Sequence, residues 1–133
     1  MATATTTITV DNYPTGIENT QRTQRVRGVI AVQASPATYA TGGLALSFLG
    51  LKDSAGNVIE SVSGVPVDVL LMSDGAGLYD YGWNKSTNKL QIFAASGGAA
   101  NSAPYAELTN ATAIPASVSG DVLRFEAVFA RNF

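Results

Sequence analysis

Apolar and polar residues alternate along several short stretches of the chain, and this two-residue period predicts β-strands. The clearest case is the C-terminal stretch GDVLRFEAVFA, residues 120–130. Because successive side chains of a strand point to opposite faces, every second residue shares a face. A helix would scatter the same apolar residues around its axis. The stretch therefore predicts a strand with one buried face, made of Leu123, Phe125, Ala127 and Phe129.

Similar segments recur along the chain, separated by turn-forming residues. They are predicted as strands at residues 3–10, 23–32, 44–51, 58–62, 66–72, 78–83 and 89–93. Residues that share a face are expected to be buried together, as in the sets Val26, Ile30 and Val32, then Leu44, Leu46 and Phe48, then Val67, Val69 and Leu71. Arg25, Arg27 and Asp68 then lie on outward faces.

Turn chemistry separates these strands at about ten-residue intervals. DSAGN (53–57), SDGAG (73–77) and NKSTN (84–88) carry the Asp, Asn, Ser and Gly residues that favour tight turns. No amphipathic helix is predicted, and residues 106–120 are expected to be irregular. The pattern predicts an all-β fold, a single-domain antiparallel β-sandwich or jelly-roll-like barrel of about seven or eight strands.

The N-terminal segment differs in composition from the rest of the chain. The segment from Met1 to about Arg27 carries a Thr run and three arginines in a chain of negative balance. We therefore expect residues 1–24 to form an extended arm and residues 25–133 to form the β-sandwich domain. Backbone hydrogen bonds at a strand edge and guanidinium–carboxylate pairs would attach the arm to a partner. The predicted partner-binding residues are Thr5, Thr6, Thr7, Arg22, Arg25 and Arg27.

The amino-acid composition excludes the most common kinds of catalytic residue. The chain has neither Cys nor His, which excludes disulfides, thiol catalysis and the usual general base near neutral pH. The turns at 53–57 and 73–77 lack the ligand spacing of a calcium loop. No phosphate-binding glycine loop is present. We therefore expect no enzyme activity, no cofactor and no metal.

The charge balance gives little support to binding of nucleic acid or membrane. Eight Lys and Arg against ten Asp and Glu leave a net charge of -2, so there is no general basic field for nucleic acid. No run of about 18 apolar residues predicts a membrane span. The first residues show no secretory signal pattern.

Three aromatic residues alternate in LYDYGWNKSTNKLQIF, residues 78–93, which predicts a hairpin. Tyr79, Tyr81 and Trp83 share one face of its first strand. Such a row is either the inner face of a sandwich, opposite Leu90 and Ile92, or a platform on which a glycan or base stacks. The sequence favours the core interpretation and leaves the platform as the alternative.

Three stretches together resemble a known family: VRGVIAVQASPATYATGGLALSF, GLYDYGWNKSTNKLQIFAA and GDVLRFEAVFARN. Their order and spacing are similar to small structural proteins of tailed bacteriophages that decorate or cement the head. The resemblance runs from about Val26 to Arg131. It implies a non-enzymatic, β-rich virion protein, made in the host cytoplasm, that binds the major capsid protein on the capsid surface and associates with itself as a homodimer or homotrimer.

A second function remains open at this point. The aromatic row would suit a virion fibre or adhesion module that binds host glycans. The two functions differ in copy number, since a cement protein coats the shell in many copies and an adhesin is present in few.

Overall fold

Two packed β-sheets form the molecule, and this confirms the predicted all-β sandwich. The structure is a computed structural model that describes residues 2–12, 16–20, 22–57, 65–73, 79–95 and 105–130. Its strands are β1 (Thr6–Val10), β2 (Ile17–Asn19), β3 (Thr23–Val32), β4 (Leu44–Ala45), β5 (Lys52–Asp53), β6 (Asp68–Ser73), β7 (Tyr79–Asn84), β8 (Lys89–Ala95), β9 (Tyr105–Glu107) and β10 (Leu123–Ala130). The helix α1 (Ala116–Ser119) is a single turn before β10.

The larger sheet has the strand order β5-β1-β3-β10-β6, with β2 also paired to β3. The smaller sheet has the order β4-β8-β7, with β9 beside β8. Most pairs are antiparallel as expected, but β1 and β5 pair in parallel over two residues. The last strand of the chain, β10, therefore lies inside the larger sheet, between β3 and β6.

Alternating side chains of β3 and β10 build one wall of the core, as their sequence pattern predicted. The predicted inward residues of both strands are buried: Val26, Ile30, Val32, Leu123, Phe125, Ala127 and Phe129. From the other side, the Phe48 ring contacts the rings of Phe125 and Phe129 edge-on, with centroids 5.9 and 5.4 Å apart. Leu90 and Ile92 of the smaller sheet are fully buried in the same core. Burial of these side chains supplies the main driving force for packing the two sheets.

The predicted N-terminal arm needs correction, because its Thr run belongs to the sandwich. Residues of β1 pair with β3 from Thr6 opposite Val32 to Val10 opposite Gly28. Before β1, the Ala4 N–H donates to the Thr38 carbonyl at 2.8 Å. β2 is also in the larger sheet. The β-branched residues that predicted an extended segment find their strand partners within the same chain.

Two other segments differ from the sequence prediction, and two more predicted segments lie outside the described residues. In residues 44–51 only Leu44 and Ala45 pair in a sheet, although Leu46 and Phe48 are buried as expected. The segment predicted as irregular, 106–120, contains most of β9 and the helix α1. The predicted strand at 58–62 and the turn residues 74–77 lie outside the described residues.

Two predicted turns are confirmed in detail. The Asp53 carboxylate accepts hydrogen bonds from the N–H groups of Ala55 and Asn57, at 3.0 and 2.9 Å, and Gly56 has φ +88°. At the hairpin between β7 and β8, Asn88 has φ 53°, a conformation that Asn tolerates well. No helix in the described part of the chain is long and apolar enough to cross a membrane.

Candidate docking surfaces

A cluster of ion pairs occupies the outer face of the larger sheet. Glu126 of β10 lies opposite Arg27 of β3 and accepts from both arginines of that strand. The Arg25 Nη1 to Glu126 Oε1 distance is 2.6 Å, and the Arg27 Nε to Glu126 Oε2 distance is 3.2 Å. Glu18 of β2 lies 3.3 Å from Arg27 Nη2. Two arginines and two glutamates thus form a locally neutral group.

This cluster changes the role predicted for the arginines. Arg25 and Arg27 were expected to meet carboxylates of a partner, but antiparallel pairing places Glu126 and Glu18 of the same chain beside them. A partner would therefore meet neutralised pairs rather than free cations. Arg22 is exposed, and no carboxylate of the described residues lies within ion-pair distance of it. Of the three arginines, Arg22 best fits the predicted contact with a partner.

We expect the cluster to make stability depend on acid pH. Hydrogen bonds from Arg25 and then Arg27 hold the pKa of Glu126 below its ordinary value of 4.5. A depressed carboxyl pKa contributes stability above the unfolded value, and this contribution is lost as pH falls through the folded value. Thermal unfolding between pH 7 and pH 2 should therefore show a smaller fall in Tm for Glu126→Gln than for the parent. Glu18→Gln, which removes one contact at an exposed side chain, is the control; equal pH slopes for the parent and Glu126→Gln would contradict the prediction.

Two of the three predicted threonines lie in a groove along β1 of the same sheet. Thr6 and Thr7 line it, together with Thr9 and with residues 47 and 49–53, and its volume is about 370 Å³. Thr5 lies outside the groove, and its N–H donates to Gln33 Oε1 at 3.1 Å. The structure therefore brings two of the three threonines to one concave surface.

The groove exists because β5 covers only the end of β1. Within the described residues, β5 pairs with Thr9 and Val10 and leaves the earlier residues of β1 without a strand on that side. Thr6 instead donates its Oγ1 hydrogen to the Ala45 carbonyl at 2.8 Å. Leu49, with 68% of its surface exposed, also lines the groove. An unpaired strand edge beside an exposed apolar side chain is a geometry that accepts an added strand.

The aromatic row faces the core of the sandwich. Trp83 lies opposite Leu90, and Tyr81 lies opposite Ile92, as predicted. The three rings are partly buried and pack against the core. The polar atoms of two of the rings are used internally: the Trp83 Nε1–H donates to Asn88 Oδ1 at 2.9 Å, and the Tyr81 hydroxyl donates to an Asp121 oxygen at 2.9 Å. Burial, followed by this hydrogen bond, raises the pKa of Tyr81 above its usual value. The geometry suits a structural row better than a glycan platform.

An apolar surface that the sequence interpretation missed lies at the β6 end of the larger sheet. Leu70 and Met72 point to the outer face and are 57% and 51% exposed. Val122, just before β10, is 46% exposed. Asp68 faces the same way, as predicted, while Val69 is buried. Soluble proteins usually protect an edge strand with charge or distortion, so an apolar edge indicates an interaction surface.

One signal in the sequence could have identified this surface. The run Val69–Met72 is apolar at four consecutive positions. A strand with only one buried face alternates, whereas an uninterrupted apolar run is typical of a strand covered on both faces. Here the second face has no cover within the described part of the chain.

A buried tyrosine between β3 and β4 makes structural contacts with the smaller sheet. Tyr39 is buried, and its hydroxyl donates to Glu107 Oε2 at 2.6 Å, an oxygen that also accepts from the Gly42 N–H at 2.7 Å. Burial first, and then the hydrogen bond to Glu107, raise the pKa of Tyr39. Across the described ranges, no three acidic side chains come together in a way that could hold a metal ion.

Comparison with known proteins gives no relative from which a function could be transferred. No protein-family model, no curated protein and no solved structure matches the chain.

Proposed function

We propose that this chain is a non-enzymatic virion structural protein, a cement protein that binds the major capsid protein shell of a tailed phage and stabilises it. The proposal joins the resemblance of residues 26–131 to the docking geometry of the sandwich. It places the protein on the capsid surface, in contact with shell subunits and with copies of itself.

The proposal is best supported by one observation: both ends of the larger sheet have surfaces to which a partner could dock. One end is β6, with Leu70 and Met72 exposed. The other end is the short strand β5, which covers only the end of β1 and leaves the rest of that strand edge open at the groove. A protein that cements a shell must hold two neighbours at once, and a sheet with docking surfaces at opposite ends has the required bivalency.

In this proposal the β1 groove receives the shell. An extended segment of the major capsid protein would add beside Thr6 and Thr7 through backbone hydrogen bonds, and Leu49 would cover an apolar side chain of that segment. Arg22 would contribute an ion pair at the rim, worth only about 0–1 kcal/mol because it is exposed.

The test is to strip the protein from purified capsids, add back purified variants and count the bound copies. We expect the parent to rebind in many copies per particle. Leu49→Glu should lower occupancy at limiting concentration, because a charge then faces the apolar part of the groove. Thr87→Glu, at an exposed position in the β7–β8 hairpin turn, is the matched control and should rebind like the parent.

Deletion of residues 1–10 is not a usable variant in this assay, because it removes β1 from the sheet. Equal binding of Leu49→Glu and the parent would exclude the groove as the shell contact. Presence in only a few copies per particle, together with glycan binding that Trp83→Ala abolishes, would favour an adhesion module instead.

A further inference from the structure

The free edge of β6 carries a pattern that is complementary to itself. Within the described residues β6 pairs only with β10, so its other edge makes no strand pairing, although β7 of the smaller sheet approaches β6. Its outer face presents Asp68, Leu70 and Met72 in sequence. A short strand with one charge at its beginning and apolar residues after it meets a second copy of itself well when the two run antiparallel.

The geometry points to a second copy of this chain as the occupant of the edge, paired antiparallel through β6 about a two-fold axis at Leu70. Two copies of one strand keep their outer faces on the same side of a joined antiparallel sheet only if the numbers of opposite residues add to an even sum, which the pairing of Leu70 with Leu70 of the partner subunit satisfies. Asp68 then lies opposite Met72 of the partner subunit. The two sheets become one continuous sheet, and each Leu70 covers the other.

The charges fit this arrangement. A parallel pairing would set the two Asp68 carboxylates side by side, whereas the antiparallel pairing places them at opposite ends. Within one chain, Arg124 lies opposite Met72 on β10. Across the proposed pair, three residues therefore follow one another on the outer face: Arg124, then Met72, then Asp68 of the partner subunit. Opposite charges thus flank the apolar contact at both of its ends.

The groups needed for this contact are available. Asp68 uses Oδ1 to accept from the Val69 N–H at 2.9 Å, and no described residue bonds its Oδ2. Arg124 already pairs with Asp11 through Nη2. A guanidinium has five N–H donors, so Arg124 can keep this pair and still reach a second carboxylate.

This inference deepens the self-association part of the proposed function by assigning it to one strand. It requires no capsid, so its test is made in solution on the full chain. The experiments can contradict dimerisation through β6 without contradicting shell binding through the β1 groove. They can equally contradict shell binding without contradicting dimerisation.

Single-cysteine cross-linking tests the surface and its register, because the parent chain contains no Cys. Under mild oxidation, Leu70→Cys should form a disulfide-linked dimer on a non-reducing gel. In Met72→Cys the two introduced thiols would be four residues apart along the pair, about 13 Å, which a disulfide cannot span. Leu49→Cys, exposed at the distant groove, is the second control, and both controls should remain monomeric on the gel.

Sedimentation equilibrium gives an independent readout. We expect the parent to dimerise, and Leu70→Lys to weaken dimerisation by about tenfold or more because it places a charge in the apolar contact. Thr87→Lys should dimerise like the parent. Circular dichroism checks that each variant is folded, and Leu70 is already exposed in the single chain.

Three results would overturn the inference. The first is a parent that stays monomeric at all accessible concentrations. The second is equal cross-linking of the Leu70→Cys and Leu49→Cys variants. The third is a Leu70→Lys variant that dimerises normally but fails to rebind stripped capsids, since that would assign the β6 edge to the shell.

Discussion

Replacing Phe125 by Ala is expected to lower the free energy of unfolding by about 3–5 kcal/mol. The side chain is 1% exposed, at the centre of β10, and its ring packs edge-on against Phe48. Truncation removes the transfer free energy of the ring and leaves a cavity between the two sheets. Both sheets contribute to this cavity, so neither can close it alone. Urea unfolding monitored by Trp83 fluorescence measures the loss.

Phe93→Ala is the matched control for this prediction. Phe93 lies on β8 opposite Asp80, on the outer face of the smaller sheet, and is only partly buried. Its removal should cost clearly less, because solvent already reaches the ring. A loss for Phe125→Ala no larger than that for Phe93→Ala would mean that the core is not centred on β10.

Replacing Gly28 by Ala should be nearly as damaging, although it adds one methyl group. A Cβ at this position would lie 2.1 Å from the Thr9 carbonyl oxygen and 2.9 Å from the Val10 Cα. Both are backbone atoms of β1, so no side-chain rotation relieves the clash. Val10 is also the strand partner of Gly28, and β1 must separate from β3 to make room. We expect a loss of about 3 kcal/mol, the upper range for overpacking.

Gly82→Ala is the control that separates the clash with β1 from the loss of backbone freedom that any Gly→Ala substitution causes. Gly82 is also inside a strand, but a Cβ there would meet only the edge of the Phe93 ring, at 3.2 Å. Ala restricts the unfolded chain more than Gly, so this substitution should be neutral or slightly stabilising. If the two variants unfold at the same denaturant concentration, close approach of β1 is not the reason for Gly28.

The sequence predicted best the strands whose pattern and environment agree. In β3 and β10 one face is buried and the other carries the ion pairs, so alternation alone gives both strands and their inward residues. The segment 44–51 has the same alternation, but only two of its residues pair in a sheet. Burial of Leu46 and Phe48 requires only that they face the core, and the pattern does not distinguish a strand from an extended loop.

The docking surfaces could be predicted only in part. The Thr run was identified as a partner edge, but its place inside the sheet depends on pairing with β3, which local sequence does not encode. The predicted role of Arg25 and Arg27 overlooked Glu126, about a hundred positions away in sequence and adjacent in space. Gly28 carried a signal, because a glycine inside a strand pattern often marks close backbone approach.

The position of β10 has a consequence for how the protein is made. This strand follows all the other described strands in sequence, and it lies between β3 and β6. During synthesis the larger sheet therefore stays open until β10 has left the ribosome, and β3 and β6 have no common neighbour before then. A chain that ends early lacks the strand that joins the two parts of the sheet and half of the central aromatic contact. We therefore expect a chain truncated before β10 to be unable to complete the larger sheet.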